Sequence, residues 1–182
     1  EAMDDATDVA ALEALFDEVQ QAHKTALQQC AQLIDTAHDL PAAAQQAQVG
    51  AGAGIGRETA RQMAARGATV CVNDLKEELV MPVVADITAQ GGKAFPIVQN
   101  IASREGIRDA IRRAFELGGR FDILVNNAAW VRYQAIPDIQ PETMDRMLDV
   151  GFKSVIWSLQ EAVAVMDPER GGAIVNVASV AA

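Results

Sequence analysis

The stretch VGAGAGIGRETARQMAARG, residues 49–67, restricts the fold more than any other part of the chain. Gly50, Gly54 and Gly56 stand in the spacing G-x-x-x-G-x-G, with Gly52 in addition, and a helix-forming run closed by Gly67 follows. Glycines let the backbone turn tightly and come close to a bound group. A helix that starts there offers unpaired amides and the positive end of its dipole. The ligand chemistry that fits is a pyrophosphate, and the architecture that supplies such a turn is the strand–loop–helix unit of a parallel sheet.

The text downstream agrees with that architecture. GATVCVNDL (67–75) is a short β-branched run that ends on Asp74, 18 residues past Gly56. A carboxylate at the end of the second strand accepts from both adenosine ribose hydroxyls and repels a 2′-phosphate, so it points to NAD rather than NADP, whereas Arg57 and Lys76 could tolerate a phosphate. Helices over 76–90, 104–117 and a long one over 141–166 then alternate with strands in KAFPIVQN (93–100), FDILVNNAA (121–129) and GGAIVNVASVA (171–181). This alternation predicts an α/β fold, a doubly wound parallel (Rossmann-type) sheet that binds ligands at the carboxyl ends of its strands.

The first 48 residues differ in kind. Apolar positions from Val9 to Ile34 recur every three to four residues, as in one long amphipathic helix or two short ones, and Pro41 ends that pattern. Ala42 to Gln48 reads as the start of another helix, being built of alanine and glutamine with no β-branched residue before Val49. The strand that should lead into the glycine loop is central in such a sheet and is normally an apolar β-branched run. AAAQQAQV stands there instead, and a glutamine facing a closed core costs a few kcal/mol unless paired. The expectation is a junction near 46–49 between an incomplete helical hairpin-like segment (1–48) and a truncated dinucleotide-binding domain (49–182).

Charge divides in the same way. Of a net charge of −10, residues 1–48 hold nine acids against Lys24 alone, which leaves −2 for the other 134 residues. No basic surface is available for nucleic acid or an anionic membrane. The absence of a long apolar run and of a signal-peptide pattern points to the cytosol. Cys30 and Cys71, 41 positions apart, read as reduced thiols, and His23 and His38 as helix-face residues, so no metal site is expected.

Two resemblances carry further. From Val49 onward, the glycine loop, Asp74, NNAA at 126–129 and IVNVAS ending at Ser179 resemble, in this order, the short-chain dehydrogenase/reductase family. That resemblance implies an NAD-dependent oxidoreductase moving a hydride between a small alcohol or carbonyl substrate and the cofactor. It places the cofactor phosphates on Gly50, Gly54, Ile55 and Gly56, the adenosine ribose on Asp74 and the adenine beside Asn100 and Ile101. It has Asn126 bracing the fourth strand, Ala128 beside the cofactor, and Ser179 as the hydroxyl that orients a substrate carbonyl. The same family commonly pairs into homo-oligomers through the long helix, where Met144, Leu148, Val155 and Leu159 fit either that face or packing on the sheet. Residues 1–48, through DATDVAALEALFDEVQ and LIDTAHDLPAAAQQ, resemble the C-terminal helical domain of the J-type co-chaperone of iron–sulfur cluster assembly, which docks a scaffold protein.

Departures from the dehydrogenase pattern bear on activity. Asn100 replaces the common aspartate, Ala129 the last glycine of NNAG, and Gly151 an asparagine that helps hold a proton-relay water. The family's general acid/base is a tyrosine about a dozen residues after the serine, with a lysine four residues later. The one tyrosine here is Tyr133, and position 137 is proline. The chain is therefore expected to be the cofactor-binding half of such an enzyme, inactive alone. Two other readings stay open: a helical docking module, and a chimera in which neither part works.

Overall fold

The computed structural model describes residues 45–49 and 51–178. The helices expected within 1–44, with Cys30, His23, His38 and the co-chaperone-like words, lie outside the described residues, as do Gly50 and Ser179. The element order is β1 (Gln45–Val49), α1 (Gly54–Ala65), β2 (Thr69–Asp74), α2 (Glu77–Ala89), β3 (Lys93–Val98), α3 (Arg104–Gly118), β4 (Ile123–Asn126), α4 (Pro141–Leu148), α5 (Ser154–Val165) and β5 (Ala173–Asn176). All strand pairs are parallel, in the order β3-β2-β1-β4-β5. This is the doubly wound sheet that the alternating pattern predicts, with its strand order reversing between β1 and β4.

The reading of Ala42–Gln48 as the start of a helix is corrected over Gln45–Gln48. With Val49, these residues form β1 at the centre of the sheet. Gln45 pairs with Thr69 and Val49 with Asn73 on one side, while Gln46 pairs with Ile123 and Val49 with Asn126 on the other. The physical reason is the ladder itself. β2 and β4 each present a row of amides and carbonyls that must be paired when buried, and one strand between them satisfies both. That demand exceeds the intrinsic preferences of alanine and glutamine, which amount to tenths of a kcal/mol per residue.

Both faces of the sheet are covered, so the strands bury side chains in alternation on two sides. Val70, Val72, Ile123 and Val125 pack with Ala60 and Met63 of α1 and Val80, Val83 and Ile87 of α2. Cys71 and Leu124 point the other way and pack with Ile107, Ala110, Ile111 and Ala114 of α3 and Ala162 of α5. Phe121 is buried just before β4. Beside it, Arg120 forms two 2.7 Å contacts with the buried carboxylate of Asp122. Burial pushes the Cys71 thiol up to about 12 and keeps it protonated.

The helix expected over 141–166 is divided. A five-residue π-helical turn, Asp149–Lys153, separates α4 from α5. Gly151 stands within the turn, and the Ser154 hydroxyl takes the Val150 carbonyl at 2.6 Å, loosening the regular ladder there. Met144, Leu148, Phe152 and Ile156 form an exposed apolar row along this helical path, while Val155 and Leu159 are half-buried. Among the described residues no helix is long and apolar enough to cross a membrane.

Candidate functional site

The site is assembled where chain segments leave the carboxyl ends of the strands. After β1, the loop is tied to β2 by the Ala51 amide, which donates to the Asn73 carbonyl at 2.9 Å. The next residue, Gly52, donates its amide to Asp74 Oδ2 at 3.2 Å, and the Leu75 amide donates to Asp74 Oδ1 at 2.7 Å. A Cβ on Gly52 would sit 2.7 Å from Asp74 Oδ2 and 2.6 Å from Leu79 Cβ, so only a glycine lets the loop meet this carboxylate. Gly54 opens α1 with φ +54, a left-handed conformation that glycine adopts without strain. Gly56 is buried one half-turn on.

These segments enclose a cleft of about 720 Å³, within the range of small-molecule and cofactor sites. Gly54 and Ile55 line it from α1, Asp74 from β2, Asn100 and Ile101 from the segment after β3, and Ala128 from the segment after β4. Six of the residues singled out from the sequence thus share one cavity. Asn126 does not line it. Its side chain is turned back into the fold, donating to Asn176 Oδ1 of β5 at 2.8 Å and accepting from the Ser158 hydroxyl of α5 at 2.9 Å. This pair of contacts ties the ends of β4 and β5 to the helix behind them. Asn100 curls onto its own loop, its Oδ1 accepting from the Ala102 amide at 3.0 Å.

Among the lining residues not singled out as site residues are Asn73, Arg146 and Val150. Asn73, the penultimate residue of β2, is buried and lines the cleft. Arg146 of α4 places its guanidinium carbon 4.4 Å from the ring centroid of Trp130, a cation–π contact that makes a wall on the β4 side. Val150 lines the same side. Gly52, noted only as an additional glycine, shapes the loop through its contact with Asp74. No periodicity marks Arg146 or Val150, because their role arises from where α4 and the π-helical turn after it meet the cleft.

The basic residues that could have favoured a 2′-phosphate are engaged elsewhere. Arg57 and Arg61 both face Asp86 of α2, at 3.9 and 2.8 Å, and Lys76 faces Glu78 at 3.8 Å. Neither Arg57 nor Lys76 lines the cleft. The cleft wall at Asp74 is a carboxylate whose oxygens accept the Gly52 and Leu75 amides.

A glycine loop packed against a strand-end carboxylate, over a cleft at the switch point of a doubly wound sheet, defines the class of dinucleotide-binding α/β proteins. Residues 47–182 match the sequence family described as short chain dehydrogenase, and the chain belongs to that family. It is 35% identical over 131 residues to a 3-oxoacyl-[acyl-carrier-protein] reductase of Thermotoga maritima, covering 72% of this chain and 53% of the relative. It is 39% identical over 130 residues to an uncharacterized oxidoreductase of the same organism, covering 71% and 51%. Among solved structures, a short chain dehydrogenase from Burkholderia cenocepacia in complex with NADP superposes with a TM-score of 0.72 at 33% identity, covering 76% of this chain and 56% of that one. The chain spans about half the length of the curated relatives it matches.

Proposed function

We propose that residues 45–182 hold NAD as the cofactor-binding half of an oxidoreductase that moves a hydride between the cofactor and a small alcohol or carbonyl compound. The observation that carries the reading is the Asp74 carboxylate, fixed on the cleft wall by the Gly52 and Leu75 amides. In this reading Gly50, Gly54, Ile55 and Gly56 take the phosphates, Asp74 the adenosine ribose, Asn100, Ile101 and Ala128 the remaining length of the cofactor, and Ser179 orients a substrate oxygen. Bound nicotinamide supplies or accepts the hydride, and the protein contributes position and exclusion of water. Family likeness alone does not decide between the two cofactors, since the Burkholderia cenocepacia protein was solved with NADP. NAD is favoured by Asp74 and by the pairing of Arg57, Arg61 and Lys76 with acids.

The boundary between the two parts of the chain falls, in this proposal, before Gln45, because β1 pairs with both β2 and β4. The exposed row Met144, Leu148, Phe152 and Ile156 supports association of two copies.

The test is titration of the purified chain with NADH and with NADPH, followed by energy transfer from Trp130 on the cleft wall to the nicotinamide. Saturable transfer with NADH, at least tenfold weaker with NADPH and abolished by Asp74→Ala, is the expected result. Equal affinity for NADPH, or affinity unaffected by Asp74→Ala, would overturn the assignment.

A further inference from the structure

Two charged residues, Asp74 and Arg146, stand among the described lining of the cleft, and they belong to different sides of it. Asp74 ends β2, whereas Arg146 of α4 lies over Trp130, which follows β4. In the strand order β3-β2-β1-β4-β5, the glycine loop after β1 comes between them. With adenosine on Asp74 and the phosphates on that loop, as proposed, the β4 side is the end at which a substrate meets the cofactor. Ser179, the residue proposed to orient a substrate oxygen, follows β5, one strand further in the same direction.

Arg146 is exposed, so a ligand can reach it, and it forms no hydrogen bond or ion pair among the described residues, although Glu142 and Asp145 share its helix. Its guanidinium carbon is 4.4 Å from the Trp130 ring centroid. A guanidinium lying over an indole is held by its face, and the N–H groups in its plane stay free to donate. Such a fork takes a carboxylate through two parallel hydrogen bonds. In a chain of net charge −10, attraction of an anion to this cleft has to be local to Arg146. We propose that Arg146, held on Trp130, binds the carboxylate of an oxo acid or hydroxy acid and so selects acids over neutral carbonyl compounds. The proposal rests on the reading of the cleft as an oxidoreductase site.

The experiment titrates the NAD-saturated full chain with 4-oxopentanoate and with its methyl ester, which keeps the ketone and lacks the charge. Oxidised cofactor and a ketone do not react with each other, so binding is read without turnover. A Trp157→Phe background leaves Trp130 as the only tryptophan, and its emission reports the titration. Salt is held at about 0.1 M, where the Debye length is about 10 Å and distant acids are screened. The acid is expected to bind about tenfold or more tighter than the ester. Arg146→Gln is expected to reduce that preference to less than about threefold and to leave NADH affinity unchanged. Arg146→Lys, which keeps the charge and loses the paired donors, is expected to retain part of the preference, and it carries the test if the glutamine variant does not fold. Equal binding of acid and ester, or binding of neither, in a chain that still binds NADH overturns the proposal and leaves the cofactor site standing. A preference that survives both substitutions also overturns it. Loss of NADH affinity in Arg146→Gln overturns it as well, assigning the guanidinium to the phosphates of the cofactor. Failure of the wild-type chain to bind NADH overturns this proposal and the functional reading together.

Discussion

Gly52→Ala tests how the loop and the strand-end carboxylate depend on each other. The new methyl group would lie 2.6 Å from Leu79 Cβ and 2.7 Å from Asp74 Oδ2, both well inside van der Waals contact. Leu79 Cβ is anchored to α2 and cannot swing aside, so the loop or the carboxylate must move. Such overpacking costs about 1–3 kcal/mol. Displacing the loop also breaks the 3.2 Å amide–carboxylate bond, and a hydrogen bond to a charged group contributes about 1.5–3 kcal/mol, taken at the lower end because Asp74 is only half-buried. Unfolding in urea should therefore show a loss of about 2–4 kcal/mol. NADH affinity should fall about tenfold or more, because the carboxylate leaves its position on the cleft wall. If the effect on affinity passes through Asp74, the double variant Gly52→Ala/Asp74→Ala binds no worse than Asp74→Ala alone. A Gly52→Ala chain with the wild-type urea midpoint and wild-type NADH affinity would refute the packing argument.

Three further outcomes follow from the same structure. Arg120→Ala leaves the buried Asp122 carboxylate without its bidentate partner and should destabilise the chain by about 3 kcal/mol at pH 7 in urea unfolding, with part of the loss recovered by Asp122→Asn. Gly151→Ala meets open space in a helical turn and should raise Tm by about 1–3 °C in a thermal scan. The Cys71 thiol, pushed up to about 12 by burial, stays protonated in the folded chain while the thiol of the unfolded chain ionises near its ordinary value of 9.0. The folded chain thus binds more protons between those values, and stability falls by about 1 kcal/mol per pH unit as pH rises through that window. Urea unfolding at several alkaline pH values should show that slope in a Cys30→Ser background and lose it in Cys71→Val.

What the sequence revealed and what it concealed divide along local and non-local lines. β2 and β4 were legible because TVCV and ILV are β-branched or aliphatic runs buried on both faces. Asp74 was legible because a fixed distance separates it from the glycine loop. β1 was not, since QQAQV has little strand preference and becomes a strand because β2 and β4 need a shared neighbour. The break between α4 and α5 was hidden in the same way: Gly151 and Ser154 are unremarkable in a helical pattern until the Ser154 hydroxyl takes a carbonyl from it. In the cleft, the spacing located the loop and the carboxylate. Gly52's lack of room and the stacking of Arg146 on Trp130 are properties of packed neighbours distant in sequence.

The outer side of β3 has a consequence for pairing with other chains. The Gln99 amide donates inward to the Asp74 carbonyl, so by the two-residue alternation of a strand the backbone of Pro96 faces away from β2. On that margin the ladder position that would donate outward is a proline with no hydrogen to give, and Lys93 adds a charge beside it. A foreign strand arriving at β3 thus meets a broken row of donors. That flank is therefore closed to orderly growth, and edge-to-edge pairing of two copies through β3 is disfavoured.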